Sequence, residues 1–184
     1  SVAVLTMAAA PAFAEKAPVT MPVKVDRSDF QAMIYDAGPL YIAGQPSESA
    51  LRDMAAKGVK TVINLRTQRE MDNRQAVPYD EAALAKELGL TYVHIPLGGP
   101  DTPYTPEALE KFAAAYEAAD SKVLLHCTVA WRASHMWSAY LHKKKGLPLD
   151  EAKAHGAVMN LNGYPQGGEP INGLIGVATK PGGN

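Results

Sequence analysis

Four short apolar runs limit what this chain can fold into. They are residues 40–43 (Leu-Tyr-Ile-Ala), 59–65 (Val-Lys-Thr-Val-Ile-Asn-Leu), 91–97 (Thr-Tyr-Val-His-Ile-Pro-Leu) and 122–126 (Lys-Val-Leu-Leu-His). They are too short for helices and rich in β-branched or alternating apolar residues, so they read as strands. The stretches between them carry helix punctuation. Ser47 caps a helix on which Leu51, Met54 and Ala55 recur at three-and-four spacing, and Gly58 ends it. Asp80 caps a second, with Leu84, Ala85 and Leu88 on one face. Thr105-Pro106 opens a third, whose buried stripe is Leu109, Phe112, Ala113 and Tyr116. Residues 131–145 form a fourth, burying Ala133, Trp137, Tyr140 and Leu141, and Asp150 caps a last one reaching about residue 160. Alternating strands and helices predict one α/β domain with a mainly parallel central sheet flanked by helices. In such sheets, sites gather beyond the strands' C-terminal ends. Arg66, Asp101 and the loop after residue 126 are therefore expected on one rim.

The remaining segments are less regular. Residues 15–39 read as an extended leader with a short helix at 28–35, and residues 66–77 as a loop or frayed helix. Residues 161–184 are Gly-, Asn- and Pro-rich and read as a tail or long surface loop. Residues 1–14 are apolar and small, and Ala12-Phe13-Ala14 before Glu15 fits the cleavage rule of a secretory signal cut short at its front. That predicts a periplasmic or secreted protein, with no stable membrane insertion once the signal is removed, because a spanning helix needs about 20 apolar residues. A formal charge of −1, from 18 basic and 19 acidic side chains, gives no footprint for nucleic acid. Oligomeric state is not encoded in any readable pattern.

The single cysteine, Cys127, sits where the run 122–126 ends and the helix of residues 131–145 begins. It cannot form an intrachain disulfide, and a free thiol in an oxidising compartment invites a functional explanation; the alternative is a buried inert cysteine. A loop turning directly into a helix points backbone N–H groups inward and forms an anion cradle. Arg132 adds a planar fork that matches two phosphate oxygens. The same positive field favours a thiolate, which can attack phosphorus and carry the phosphoryl group. Breakdown needs a proton for the leaving oxygen and a base for water. Asp101, in the turn-rich loop after residue 97, is the candidate, unless it merely forms the turn. Ser134 could hydrogen-bond the leaving thiolate or be an ordinary residue of the helix's first turn. His126 reads as a hydrogen-bonding residue that orients the loop. Arg66 faces the same rim or is a solvated charge, and Glu70 could hold Arg66 or Arg132. Trp131 either walls the pocket or anchors the loop in the core. No metal site is predicted, since His94, His135, His142 and His155 share no convergent spacing and a single cysteine makes no zinc pattern.

His126-Cys127 with the following Arg132 resembles the signature of the cysteine-dependent protein tyrosine and dual-specificity phosphatases. Upstream, Tyr41-Ile42-Ala43-Gly44-Gln45-Pro46-Ser47, then residues 58–66, then residues 92–97 come in the order seen in bacterial and atypical dual-specificity-like phosphatases. The resemblance covers residues 40–160 and implies a phosphatase-like catalytic domain there. It further implies Cys127 as nucleophile, Arg132 on the phosphate, Asp101 as general acid, and Thr128, Val129, Ala130 and Trp131 as the cradle. No cofactor is implied. The substrate would be a phosphorylated protein or a small phosphomonoester.

This loop has its own features. Four residues separate Cys127 from Arg132, where the usual phosphatase loop has five. Ala130 stands at the usual inner glycine, and Ala133 replaces the usual hydroxyl residue, with Ser134 next. A related bacterial group shares the four-residue spacing. Rhodanese-like sulfurtransferases also use a shorter loop, with a persulfide on the cysteine. A phosphate-binding pseudophosphatase is the non-enzymatic alternative.

Overall fold

A computed structural model describes residues 16–177; the expected secretory segment, residues 1–14, lies outside the described residues. The elements are β1 (Val23–Lys24), β2 (Ile34–Asp36), β3 (Leu40–Ala43), α1 (Glu48–Ala56), β4 (Thr61–Asn64), α2 (Gln68–Asp72), α3 (Glu81–Glu87), β5 (Thr91–His94), α4 (Pro106–Ala118), β6 (Val123–His126), α5 (Trp131–Lys143), α6 (Leu149–Val158) and α7 (Pro170–Ile175). A 3₁₀ turn, Pro165–Gly167, precedes α7. The sheet order is β1-β2-β3-β6-β4-β5. β3, β6, β4 and β5 run parallel, and β1 and β2 add an antiparallel edge. The α/β reading with a mainly parallel sheet is borne out.

Alternate strand residues enter two cores. Ile63 and Leu125 pack with α4–α7 on one face, while Val62 and Leu124 pack with α1 and α3 on the other. This period of two decides the site. His126 shares the parity of Leu124 and points toward α3; Cys127 shares that of Leu125.

Three local expectations are corrected, and a fourth, for residues 66–77, is decided between loop and helix. Residues 28–35 contain no helix: Ile34 is fully buried and pairs with Ala43, so this stretch extends the sheet past β3. Within residues 66–77, α2 forms because Thr67 and Glu70 build a capping box: Glu70 N–H donates to Thr67 Oγ1 (3.2 Å) and Thr67 N–H to Glu70 Oε2 (2.8 Å). Pro148, not Asp150, occupies the N-cap of α6, and Asp150 lies in its first turn. The expected tail carries α7, which buries Ile171 and Leu174 completely against α4 and α5. Its glycines and prolines end and start short elements, and Pro170, Ile171 and Leu174 are the side chains it buries.

Candidate active site

The loop after β6 is pinned from below by backbone. Cys127 N–H donates to Ala43 O (3.2 Å), and Gln45 N–H to Thr128 O (3.0 Å). This approach requires Gly44, where any Cβ would come within 2.7 Å of the Thr128 carbonyl and 1.8 Å of Gln31 O. Ala130 then turns the chain into α5 with φ 64°. The result is a cradle in which the N–H groups of Thr128, Val129, Trp131, Arg132 and Ala133 find no acceptor among the described residues. They surround the N-terminus of a 13-residue helix.

Arg132 is held flat beside this cradle. Its Nη1 donates to Glu70 Oε2 and to Leu97 O (both 2.8 Å). Its Nη2 donates to Glu70 Oε1 (2.7 Å) and Thr128 Oγ1 (2.9 Å), and Thr128 in turn donates to Glu70 Oε1 (2.8 Å). Burial opposes the charge on Arg132, but Glu70, with Cys127 and Tyr104, keeps the guanidinium even harder to deprotonate than usual. Burial likewise pushes Glu70 up, yet Arg132 and the Thr67 and Thr128 hydrogen bonds hold its carboxyl well below the usual range.

A cavity of about 280 Å³ opens over the cradle, lined by Cys127, Thr128, Val129, Trp131, Arg132, Asn160, Gly163 and Tyr164. Trp131 and Tyr164 meet edge to face, with ring centroids 5.2 Å apart. Trp131 therefore walls the pocket and also packs edge-on against His135.

The profile of the beta-lactamase hydrolase-like protein, phosphatase-like domain, matches residues 29–142. The chain belongs to this phosphatase-like family. A beta-lactamase hydrolase-like protein of Xylella fastidiosa (strain Temecula1) is 30% identical over 117 residues, covering 64% of this chain and 26% of that protein. The chain thus spans about a quarter of the length of the curated relatives it matches. A DUF442 protein of Shewanella putrefaciens CN-32, assigned to the phosphatases, superposes with a TM-score of 0.60 at 26% identity, covering 80% of this chain and 93% of that one. TpbA of P. aeruginosa, solved with pTyr, shares the fold with a TM-score of 0.56 at 19% identity, covering 85% and 94%. Family and fold together support phosphatase function, and the resemblance read from the motif is borne out.

The structure distributes the expected site residues of this phosphatase-like domain unevenly. Cys127, Thr128, Val129, Trp131 and Arg132 line one cavity, and Ala130 is the buried turn beneath them. His126 lies below the loop, its Nε2 2.6 Å from Glu81 Oε1. Ser134 is turned away from a role on the thiolate: its hydroxyl donates to Ala130 O (2.6 Å) and accepts from Asn160 N–H (3.3 Å). Arg66 is neither solvated nor among the cavity-lining residues. It is 4% exposed, donates to Gln45 Oε1 (2.9 Å) and lies 3.4 Å from Glu70, so it backs Glu70 from behind. Asp101 is exposed at the centre of a turn closed by Thr102 N–H to Gly99 O (3.2 Å). That loop borders the site: a side chain at Gly98 would meet the Tyr104 hydroxyl at 2.8 Å and Arg132 Cδ at 3.7 Å.

Several site residues escaped sequence reading. Glu70 was read only as a possible holder of Arg66 or Arg132, and the structure sets it against both. Tyr104 shares the corner with Arg132, and burial pushes its hydroxyl up to about 12, so it stays a donor at neutral pH. Asn160, at the expected end of the last helix, donates to Val129 O (2.6 Å), and Tyr164 comes from the expected tail. Nothing local in the sequence marks these three.

Proposed function

We propose that the chain hydrolyses phosphomonoesters through a phosphocysteine on Cys127. The observation that carries this reading is the ring of N–H groups around the Cys127 loop that find no acceptor among the described residues, beside an arginine held by Glu70. Such a cradle suits three phosphate oxygens, while the thiolate attacks phosphorus from below. The P–S bond forms as the ester P–O bond breaks, and Asp101 gives its proton to the leaving oxygen. Water then attacks phosphorus, returns a proton to Asp101, and releases phosphate and the thiolate. The family match supports phosphatase over sulfurtransferase chemistry.

The Trp131–Tyr164 wall favours an aryl phosphate, whose ring finds apolar surface in a cavity of about 280 Å³. We also place the protein outside the cytoplasm, on the apolar run ending in Ala12-Phe13-Ala14; cell fractionation tests this.

The decisive assay uses p-nitrophenyl phosphate and, in parallel, thiosulfate with cyanide, under reducing conditions. Cys127→Ser abolishes phosphate release, and Arg132→Ala lowers kcat/KM by about 10³-fold. Sulfur transfer without phosphate release would replace the proposal with a rhodanese-like one. No turnover, with anion-dependent melting, would make the chain a binding protein.

A further inference from the structure

The loop between β5 and α4 returns to the arginine at which it starts. At its beginning, Leu97 O accepts from Arg132 Nη1 (2.8 Å). At its end, Tyr104 directly precedes Thr105, the N-cap of α4. Gly98 N–H to Thr102 O (2.8 Å) and Gly99 N–H to Thr102 Oγ1 (2.9 Å) close the turn between them. Glycines make room for the tyrosine at both of its ends. A Cβ on Gly98 would meet the hydroxyl at 2.8 Å and the ring carbon that bears it at 3.6 Å. A Cβ on Gly173 of α7 would meet Tyr104 O at 2.4 Å and Tyr104 Cβ at 2.9 Å. The side chain is thus clamped, and it packs against the core that holds α4, α5 and α7.

Its hydroxyl is placed but uncommitted. Other tyrosines bond theirs within the protein: Tyr79 donates to Pro46 O (2.9 Å) and Tyr140 to Glu117 Oε1 (3.0 Å). The Tyr104 hydroxyl has no partner among the described residues, and the Cβ position on Gly98 that meets it also lies 3.7 Å from Arg132 Cδ. Burial pushes the hydroxyl up to about 12, and the charges of Arg132, Cys127 and Glu70 also act on it. At neutral pH it is therefore a proton-bearing donor.

We propose that Tyr104 is a further catalytic residue, whose hydroxyl donates a hydrogen bond to the ester oxygen of the bound phosphomonoester. This rests on the phosphocysteine mechanism given above. There the loop N–H groups surround the three free phosphate oxygens and sulfur attacks from below. In-line displacement puts the ester oxygen opposite the sulfur, away from the cradle floor. The cradle has no donor to offer on that side, and the loop of residues 98–104 brings one. Negative charge grows on this oxygen as the P–O bond breaks, so a fixed donor binds the transition state better than the ester. Asp101, exposed on the same loop, supplies the proton that the leaving oxygen takes away; Tyr104 keeps its own.

Leaving-group dependence tests this. Wild type and Tyr104→Phe are assayed on p-nitrophenyl phosphate, whose phenolate departs readily, and on phenyl phosphate, whose leaving oxygen needs help. Tyr104→Phe keeps the ring between Gly98 and Gly173 and removes no hydrogen bond of the protein, so its melting temperature matches wild type. For the loss of one neutral hydrogen bond, kcat/KM on phenyl phosphate falls about tenfold, and on p-nitrophenyl phosphate less than about twofold. Equal losses on both substrates, or none on either, overturn the assignment. So does a Tyr104→Phe protein that melts well below wild type or does not fold, because the hydroxyl would then be bonded inside the protein. Wild type that turns over neither substrate sinks the phosphocysteine reading itself, whereas wild-type turnover with equal losses in the variant sinks Tyr104 alone.

Discussion

Ala130 sits in the left-handed region at φ 64°, where an L side chain costs about 1–2 kcal/mol. It tolerates this because the turn must aim five N–H groups into one cradle before α5 begins. Ala130→Gly removes the strain at some cost in unfolded-state freedom, so a net gain of about 0.5–1 kcal/mol is expected. Urea unfolding checks it: the midpoint rises, and a fall would mean that Ala130 is unstrained. At the same scale, Trp131 and Tyr164 set the shape of the cavity wall. Trp131→Ala is expected to raise KM for p-nitrophenyl phosphate by about tenfold, worth about 1.4 kcal/mol of ring contact. KM for an alkyl phosphate should move far less; equal rises for both would mean that the indole only holds the loop. Gly167 serves the same wall, since a Cβ there would lie 2.4 Å from both Trp131 and Tyr164 ring carbons.

Among the elements, α5 carries the most connections. At its N-terminus it presents the cradle; one turn on, His135 fastens the C-terminal segment to it. His135 Nε2 donates to Leu161 O (3.0 Å), and Nδ1 accepts from Ile171 N–H (3.4 Å). One donor and one acceptor require the neutral ring, and burial lowers its pKa to about 4. An unfolded histidine binds its proton near 6.5. Between those values the unfolded state holds more protons, so stability is full above about 6.5 and falls as pH drops toward 4. The difference corresponds to about 3 kcal/mol. Melting curves from pH 7 to 4 should show this loss, and His135→Gln should flatten it. An unchanged slope in the variant would assign the acid sensitivity elsewhere. α7 is docked by Pro170, Ile171 and Leu174, and Leu174→Ala is expected to cost about 2–4 kcal/mol. Hydrogen exchange would show residues 161–175 opening first.

At the scale of the whole molecule, the site exists because parallel strands end together. β4 supplies Arg66, the segment after β5 supplies Leu97 and Tyr104, and β6 supplies Cys127. Glu70 then ties the segment after β4, the loop after β6 and the start of α5 together through Arg66, Thr128 and Arg132. Orthovanadate, an oxyanion of phosphate shape, should bind only this assembled state. At a hundred times its Kd it adds about 2.7 kcal/mol of stability. The accompanying rise in melting temperature should vanish in Arg132→Ala; a rise that survives would place the anion elsewhere.

Much of this arrangement was legible along the chain. The four apolar runs, the caps at Ser47, Asp80 and Thr105, and the pair Cys127 and Arg132 are local signals, because strand period, capping chemistry and loop spacing act over a few residues. The sequence therefore determined an α/β frame with a thiol and an arginine at a strand-to-helix turn. Tertiary structure decided the rest. The shortened loop still presents five N–H groups with no acceptor among the described residues, since Ala130 accepts a left-handed turn. Arg66, expected at the rim, became the support of Glu70, and Ser134 spent its hydroxyl on Ala130. Glu81, Tyr104, Asn160 and Tyr164 joined the site from distant segments. Their partners are chosen by which strand faces and helix ends meet in space, and one chain's local pattern carries no record of that meeting.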